Sequence, residues 1–371
     1  MRYRFSDITI NFDSKRVPLS AKQREEHEGK YPYYGAQGII DYIDDYIFDG
    51  KYLLIAEDGE NLKSKKQKIA QLANGRYWVN NHAHIVQTNE KCLIEYLYYI
   101  FNITDISGYI TGSAQPKLSQ ANLNAIELEI PPIQQQEKVV TILSALDNKI
   151  ELNQKINENL ERQTQAIFVE RFSGFSANDL PNGWKTVRLG DVAIISKKSF
   201  NPNKELEALL EHYSIPAFDE ARFPVFELST SIKSNKFIVD ADCFMISKLN
   251  PTTKRVWRPY CISDKAVCST EFIVYKTREQ RYTDFLYSLI DSESFSGFMC
   301  SHVTGSTGSR QRTTPGDTLQ FEFALPPAEE ISAFTAIVQP MYQQMRANAI
   351  ENDKLKRLRA CLKNKYCTNR W

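Results

Sequence analysis

Two patterns of hydrophobic and polar positions alternate along the chain. The first consists of short β-branched and aromatic runs bounded by Gly, Asn, Asp and Pro. "YLLIA" (52–56), "YWVNNHAHIV" (77–86), "AIELEI" (125–130), "FMISK" (244–248) and "FEFAL" (321–325) predict strands. "AIELEI" alternates strictly, so one face is buried and the other wet. "CLIEYLYYIFN" (92–102) and "YTDFLYSLIDS" (282–292) predict short amphipathic helices. After each double proline, Pro131-Pro132 and Pro326-Pro327, the period changes to seven. The first long helix is predicted from about Ile133 to Phe172, with one row at Val139, Leu146, Asn153, Leu160 and Ile167. A second row takes Ile142 and Ile156 and, less well, Lys149 and Gln163. The second is predicted from about Ala328 to Lys365, with rows at Ile331, Val338, Met345, Asn352 and at Phe334, Met341, Asn348, Leu355, Leu362. Pro340 is expected to kink it or to end a short first segment.

The strand-rich and helical parts occur twice. "FSDITI" (5–10) matches "LGDVAI" (189–194), "KYLLIAEDG" (51–59) matches "DCFMISKLN" (242–250), and "NHAHIVQ" (81–87) matches "STEFIVY" (269–275). "IEYLYYIF" (94–101) matches "TDFLYSLI" (283–290), and "YITGSAQPKLSQANLNAIELEIPP" (109–132) matches "HVTGSTGSRQRTTPGDTLQFEFALPP" (302–327). Five weak matches in one order indicate an internal duplication. In the helices Asn153 aligns with Asn348 and Asn157 with Asn352. At about 1.5 Å per residue each helix spans roughly 55 to 60 Å, and a seam that long needs a partner. The predicted solution is an antiparallel coiled coil of the two helices, paired through Leu146, Asn153, Leu160, Met345, Asn348, Asn352 and Leu355. Asn in the seam would fix register. The alternative is two helices folded separately, each on its own module. The fold class is α+β: two mixed α/β modules at 1–132 and 184–327, helices at 133–172 and 328–371, and a linker at 173–183.

Length and composition narrow the class. The 371 residues point to at least two domains, and 42% hydrophobic with 25% charged residues is ordinary globular composition. No apolar run approaches the roughly 20 residues that cross a membrane. The N-terminus lacks signal-peptide features, and seven scattered cysteines read as reduced thiols, so a cytoplasmic protein is expected. A net charge of +1 hides basic clusters at Lys63–Lys68, Thr252–Arg258, Ser309–Arg312 and the C-terminal end.

No motif for catalysis is found: no Gly-rich cofactor loop, no P-loop, no HExxH, and no Asn/Asp-Pro-Pro-aromatic methyltransferase signature. Asp58, Glu60 and Lys63, or Asp264 and Lys265, are the poor starting points for a metal-dependent nuclease. His82 and His84 alternate on one strand face and read as structural. The duplicated loops instead carry side chains suited to base edges. Thr111, Ser113, Gln115 and Lys117 stand in the first. Ser306, Ser309, Arg310, Gln311 and Arg312 stand in the second. Gly112 and Gly305 permit a tight backbone. An ordinary Gly-Ser turn is the bland alternative. Lys63, Lys65, Lys66, Lys68 and Arg76 in one module, and Lys248, Lys254, Arg255 and Arg258 in the other, are candidate phosphate contacts. "PYYGAQG" (32–38) reads as an aromatic loop offering Tyr34 and Gln37, with Tyr33 and Tyr34 equally suited to the core.

These residues carry a family resemblance. "GSAQPKLSQANLNAIELEIPPIQQQEKVVTILSALDNKIELNQKINENLERQTQAIF" (112–168) resembles the central conserved region of specificity subunits of type I restriction-modification systems. "LPNGWKTVRLGDV" (180–192) resembles their domain opening. "RQRTTPGDT" (310–318) departs from "PKLSQANLN" (116–124), and the N-terminus lacks the full opening. The resemblance implies a non-catalytic DNA-binding subunit. Each module would be a target recognition domain for one half of a bipartite double-stranded site. The helices would set the spacer and dock two modification (methyltransferase) subunits, and restriction subunits would join. S-adenosylmethionine, ATP and Mg²⁺ would be bound by those partners, and no cofactor by this chain. The competing readings are a coiled-coil scaffold with incidental DNA binding and the nuclease above.

Overall fold

The structure, a computed structural model, describes residues 1–175, 179–304 and 311–367. In the first module, β-branched and aromatic runs assemble an antiparallel sheet in the order Thr9–Asn11, Ala83–Thr88, Tyr52–Ala56, Ala70–Ala73. A second sheet runs Gly38–Ile43, Glu28–Gly35, Arg76–Val79, Phe48–Asp49, with Glu28–Gly35 and Arg76–Val79 parallel. The run predicted as one strand over 77–86 is therefore two, in different sheets. Asn80, Asn81 and His82 make the break, with the Asn80 side chain accepting the His82 N–H at 2.8 Å. "PYYGAQG" is likewise the end of one strand and the start of the next, around a turn at Ala36 and Gln37.

The second module repeats this plan. Its antiparallel sheet runs Ala193–Ser196, Phe272–Thr277, Cys243–Ser247, Val256–Trp257. Its other sheet again holds one parallel pair, Leu209–Tyr213 beside Ala266–Cys268. Both modules close their ends alike: Arg2–Arg4 pairs with Glu127–Glu129, and Lys185–Arg188 with Glu322–Leu325. Backbone bonds fix the alignment residue by residue. Glu57 N–H donates to His82 O and Lys248 N–H to Glu271 O, both at 2.9 Å. Gly59 N–H donates to Pro116 O and Asn250 N–H to Gln311 O, each donor residue being left-handed. The second module adds a helix at Ile215–Ala221, which the strand-like reading had not suggested; Ser214 caps it and Pro216 stands in its first turn.

The two long helices are Ile133–Phe172 and Ala328–Cys367, 40 residues each. The second runs through Pro340 without ending there; Val338 and Tyr342 on either side are buried, while the proline faces solvent. The chain divides into two compact units: Met1–Ile150 with the segment from Lys354 onward, and Glu151–Asp353. Each module thus packs on part of both helices. In the first unit Val139 and Leu143 are buried in the module core, with Leu362 and Tyr366 against it, and Asp147 binds Arg359. In the second, Phe168, Phe172, Ile331, Phe334, Val338 and Tyr342 join the module core.

The helix-pairing residues fall as follows. Asn153, Asn348 and Asn352 are buried, and Leu146, Leu160, Met345 and Leu355 are half-buried. Asn153 Nδ2 donates to Asn352 Oδ1 at 2.9 Å; Asn348 Nδ2 donates to Asn157 Oδ1 at 2.8 Å; Asn157 Nδ2 donates to the Met345 carbonyl at 3.0 Å. The register is antiparallel. One row of the first helix differs from expectation. Ile142 and Ile156 are 40% and 36% exposed, and the inner row passes through Leu143, Ile150, Asn157 and Thr164. From Val139, heptad steps of three-then-four and four-then-three are both open. The second is taken because Leu143 then enters the first module's core, Ile150 is buried, and Asn157 meets Asn348.

Candidate nucleic-acid interface

In the first module the 111–117 loop is closed at its neck by backbone bonds. Thr111 N–H donates to Lys117 O at 2.9 Å and Lys117 N–H to Thr111 O at 2.8 Å. Gly112 has φ +84°, and a Cβ there would lie 2.3 Å from the Gln115 carbonyl oxygen, so only glycine fits. Lys63 Nζ donates to the carbonyls of Gly112 and Ser113 at 3.0 and 3.2 Å. Ser113 and Gln115 remain exposed at the tip. Gln37, exposed on its turn, comes to the same place: its Nε2 is 4.0 Å from the Cβ position of Gly59, whose N–H binds Pro116. Two separated loops, at 36–37 and 111–117, therefore both adjoin Gly59 and expose Gln37, Ser113 and Gln115. Amides and a hydroxyl can donate and accept at base edges.

Behind the loop lies an ionic cluster. Lys117 Nζ is 3.2 Å from Glu57 Oε1, and Arg16 reaches Glu57 Oε2 at 2.7 Å and the Ala83 carbonyl at 2.9 Å. His84, 1% exposed, places Nδ1 2.6 Å from Asp13 Oδ2 and Nε2 2.8 Å from the Leu118 carbonyl. Asp58 binds the exposed His82 ring at 2.7 Å. Burial acts to raise the Asp13 carboxyl, but the His84 bond and charge outweigh it and hold the group below its ordinary value. Burial likewise opposes ionisation of Glu57, and Arg16, His84 and Lys117 more than offset it. Sequence reasoning missed Asp13, Arg16 and Glu57, and named Asp58 only as a poor nuclease candidate. Only the His82/His84 alternation hinted at the cluster, because its members lie far apart along the chain.

The second module has its own version. Arg312 pairs with Thr304 and bridges Leu249 as Lys117 pairs with Thr111 and bridges Asp58. Arg312 donates through two nitrogens to the Glu271 carboxylate at 3.0 and 3.2 Å. Gln311 is half-buried and its carbonyl accepts from Asn250. Lys248, also half-buried, binds Thr313 N–H through its carbonyl at 3.1 Å. Ser306, Ser309 and Arg310 lie outside the described residues.

The remaining predicted cations are not gathered at the loops. Arg258 binds the buried Asp284 and lies over the Tyr342 ring of the second long helix at 5.8 Å, so it joins module to helix. Arg255, 12% exposed, forks onto Asp219 at 2.6 and 2.8 Å. Lys254 is held by Asp291 and Glu293. Lys65 pairs with Asp105, and Arg76 with Asp49 across a strand pair. Lys68 donates to the Tyr98 hydroxyl in a groove of about 550 Å³ that also includes Asp147 of the first long helix. Lys66 is exposed. Tyr34 is half-buried and packs against the core: its ring meets Tyr77 edge-on at 5.4 Å, and burial pushes its phenol up. These groups looked available because their acidic partners are distant in sequence.

Residues 4–162 match the family model for the type I restriction modification DNA specificity domain. A putative type I restriction enzyme specificity subunit of Haemophilus influenzae is 37% identical over 134 residues, 36% of this chain and 34% of that protein. The type I restriction enzyme MjaIX specificity subunit of Methanocaldococcus jannaschii is 32% identical over 139 residues, 33% of this chain and 32% of that protein. The matches thus span about a third of each relative's length. The S subunit of a type I restriction-modification system from M. genitalium has the same fold, with a TM-score of 0.64 over 99% of this chain and 96% of that one at 13% identity.

Proposed function

We propose, on the premise that this chain belongs to the specificity-subunit family of type I restriction-modification systems, that it chooses the DNA sequence on which the system's enzymes act. Each module, within 1–132 and 184–327, is a target recognition domain for one half of a bipartite duplex site. The helices within 133–172 and 328–371 set the spacer and dock the modification subunits. Restriction subunits complete the assembly. Catalysis, S-adenosylmethionine, ATP and Mg²⁺ belong to those partners, and this chain performs neither methylation nor cleavage.

One observation carries the reading. Two modules of the same topology present a loop at the same place, with backbone frames that correspond and side chains that differ. A duplicated frame with different readers is what two unlike half-sites require. Gln115 and its neighbours face one half, and the second module, through the segment whose described ends are Thr304 and Gln311, reads the other. Mapping methylated adenines in host DNA, with and without the gene, tests this. The expected result is one bipartite motif that disappears with the gene; a motif unchanged by its loss overturns the proposal.

A further inference from the structure

We infer that Lys117, together with the cluster behind it, positions the first module's loop and is not a contact to DNA phosphate. The inference rests on the reading of that module as a DNA reader. The sequence offered Lys117 as a reader of base edges, and a loop lysine suits a phosphate equally, but its ammonium is already held at 3.2 Å by Glu57, a side chain only 14% exposed. Glu57 is in turn held by Arg16 at 2.7 Å. His84 supplies the second tie. Its two ring nitrogens face two acceptors, Asp13 Oδ2 and the Leu118 carbonyl, so both are satisfied only when both donate. Leu118 N–H adds a bond to the Glu57 carbonyl at 2.8 Å. Consecutive residues, 117 and 118, on the loop's outgoing limb are therefore fastened by the side chains of Glu57 and His84, which Arg16 and Asp13 hold from behind.

The fold does not need this cluster. The second module has the same antiparallel sheet order, yet Lys248 stands where Glu57 does and Ile273 where His84 does. There the equivalent cation, Arg312, is held from the adjacent strand end by Glu271 instead. Each module thus has its own cation–carboxylate tie at the same point of its loop. A requirement of the shared fold would have produced the same residues twice. A phosphate contact would leave the cation facing outward, without a shielded carboxylate of its own. Holding the limb fixed keeps Ser113 and Gln115 in one frame, so that less ordering is left to binding.

The test uses the full chain assembled with its modification subunits, duplexes altered in either half of the mapped site, and hydrogen exchange of the Thr111, Lys117 and Leu118 amides. Lys117→Met changes a half-exposed side chain, and Glu57→Gln removes the charge from the other end of the pair. Both variants are expected to lose about tenfold of the discrimination against changes in the first half-site and none against the second. Both are also expected to speed exchange of those amides by about tenfold. The idea is overturned if Lys117→Met weakens every duplex equally and lowers the salt slope by about one. Tighter binding by Glu57→Gln with unchanged discrimination also overturns it, since a released lysine would then be reaching phosphate. Unchanged exchange and discrimination in both variants do the same. If the unaltered protein prefers no duplex sequence, the DNA reading itself falls, a result distinguishable from all of these.

Discussion

The carboxylate of Asp291 stands 3.3 Å from Lys254 Nζ and receives Gln165 Nε2 at 2.9 Å. Burial nevertheless raises its pKa to about 6, because one lysine does not offset the lost hydration. The folded state therefore binds this proton more tightly than the unfolded chain, whose ordinary value is 3.8. Its contribution to stability is present below pH 4 and is lost as pH rises through 6. A shift of that size corresponds to roughly 2–3 kcal/mol. Asp291→Asn is expected to raise unfolding stability by up to that amount at pH 7 and not at pH 4. Denaturant unfolding at the two pH values checks it, and equal gains at both would refute the assignment. At this scale the sequence was legible in residue type and not in pairing. The basic cluster around Arg258 was visible, but Asp284, which engages it, is 26 residues away and brought there by the sheet and helix between them. The loop residues were found because the repeat exposed them. Glu57 and Arg16 were not, since single charges beside strands carry no local signal.

The helical elements were the most legible, because a seven-residue period sustained over 40 positions has few readings. What the period left open was the hand of the step, and one row was read a residue short, at Ile142 and Ile156 instead of Leu143 and Asn157. Only the partner helix and the module core decide that. The seam's asparagines are paired reciprocally: Asn153 aligns with Asn348 and Asn157 with Asn352, and the bonds run 153 to 352 and 348 to 157. Removing one member costs more than removing two. Asn157→Leu takes the acceptor from Asn348 Nδ2 and the donor from the Met345 carbonyl, and is expected to destabilise by about 1–3 kcal/mol. The double change Asn157→Leu with Asn348→Leu should recover most of this, since apolar groups then face each other. A double-mutant cycle reads the coupling, and simple additivity would show that the bond does not matter.

For the whole molecule, duplication set the plan that the order of weak matches had announced: two modules with the same antiparallel sheet order, each followed by a long helix. Its inserts were not legible, because the Ile215–Ala221 helix has no counterpart in the first copy. If the helices measure the spacer, deleting one in-register heptad from each shifts the modules by about 10 Å, or about three base pairs at 3.4 Å each. The methylated motif should then keep both halves and change its gap. An unchanged gap would separate the helices from any measuring role.

The neck of the 111–117 loop has a consequence for how such a protein changes over time. Thr111 and Lys117 are joined there through main-chain atoms, which any residue but proline supplies, and within the loop only Gly112 is dictated by backbone geometry. Ser113, Ala114 and Gln115 are exposed and have no such constraint. Substitutions at the tip can accumulate without disturbing the sheet or the neck, so a new target preference needs no new fold. On the proposed reading, the first module is tolerant of mutation at the residues that meet DNA and intolerant one residue away.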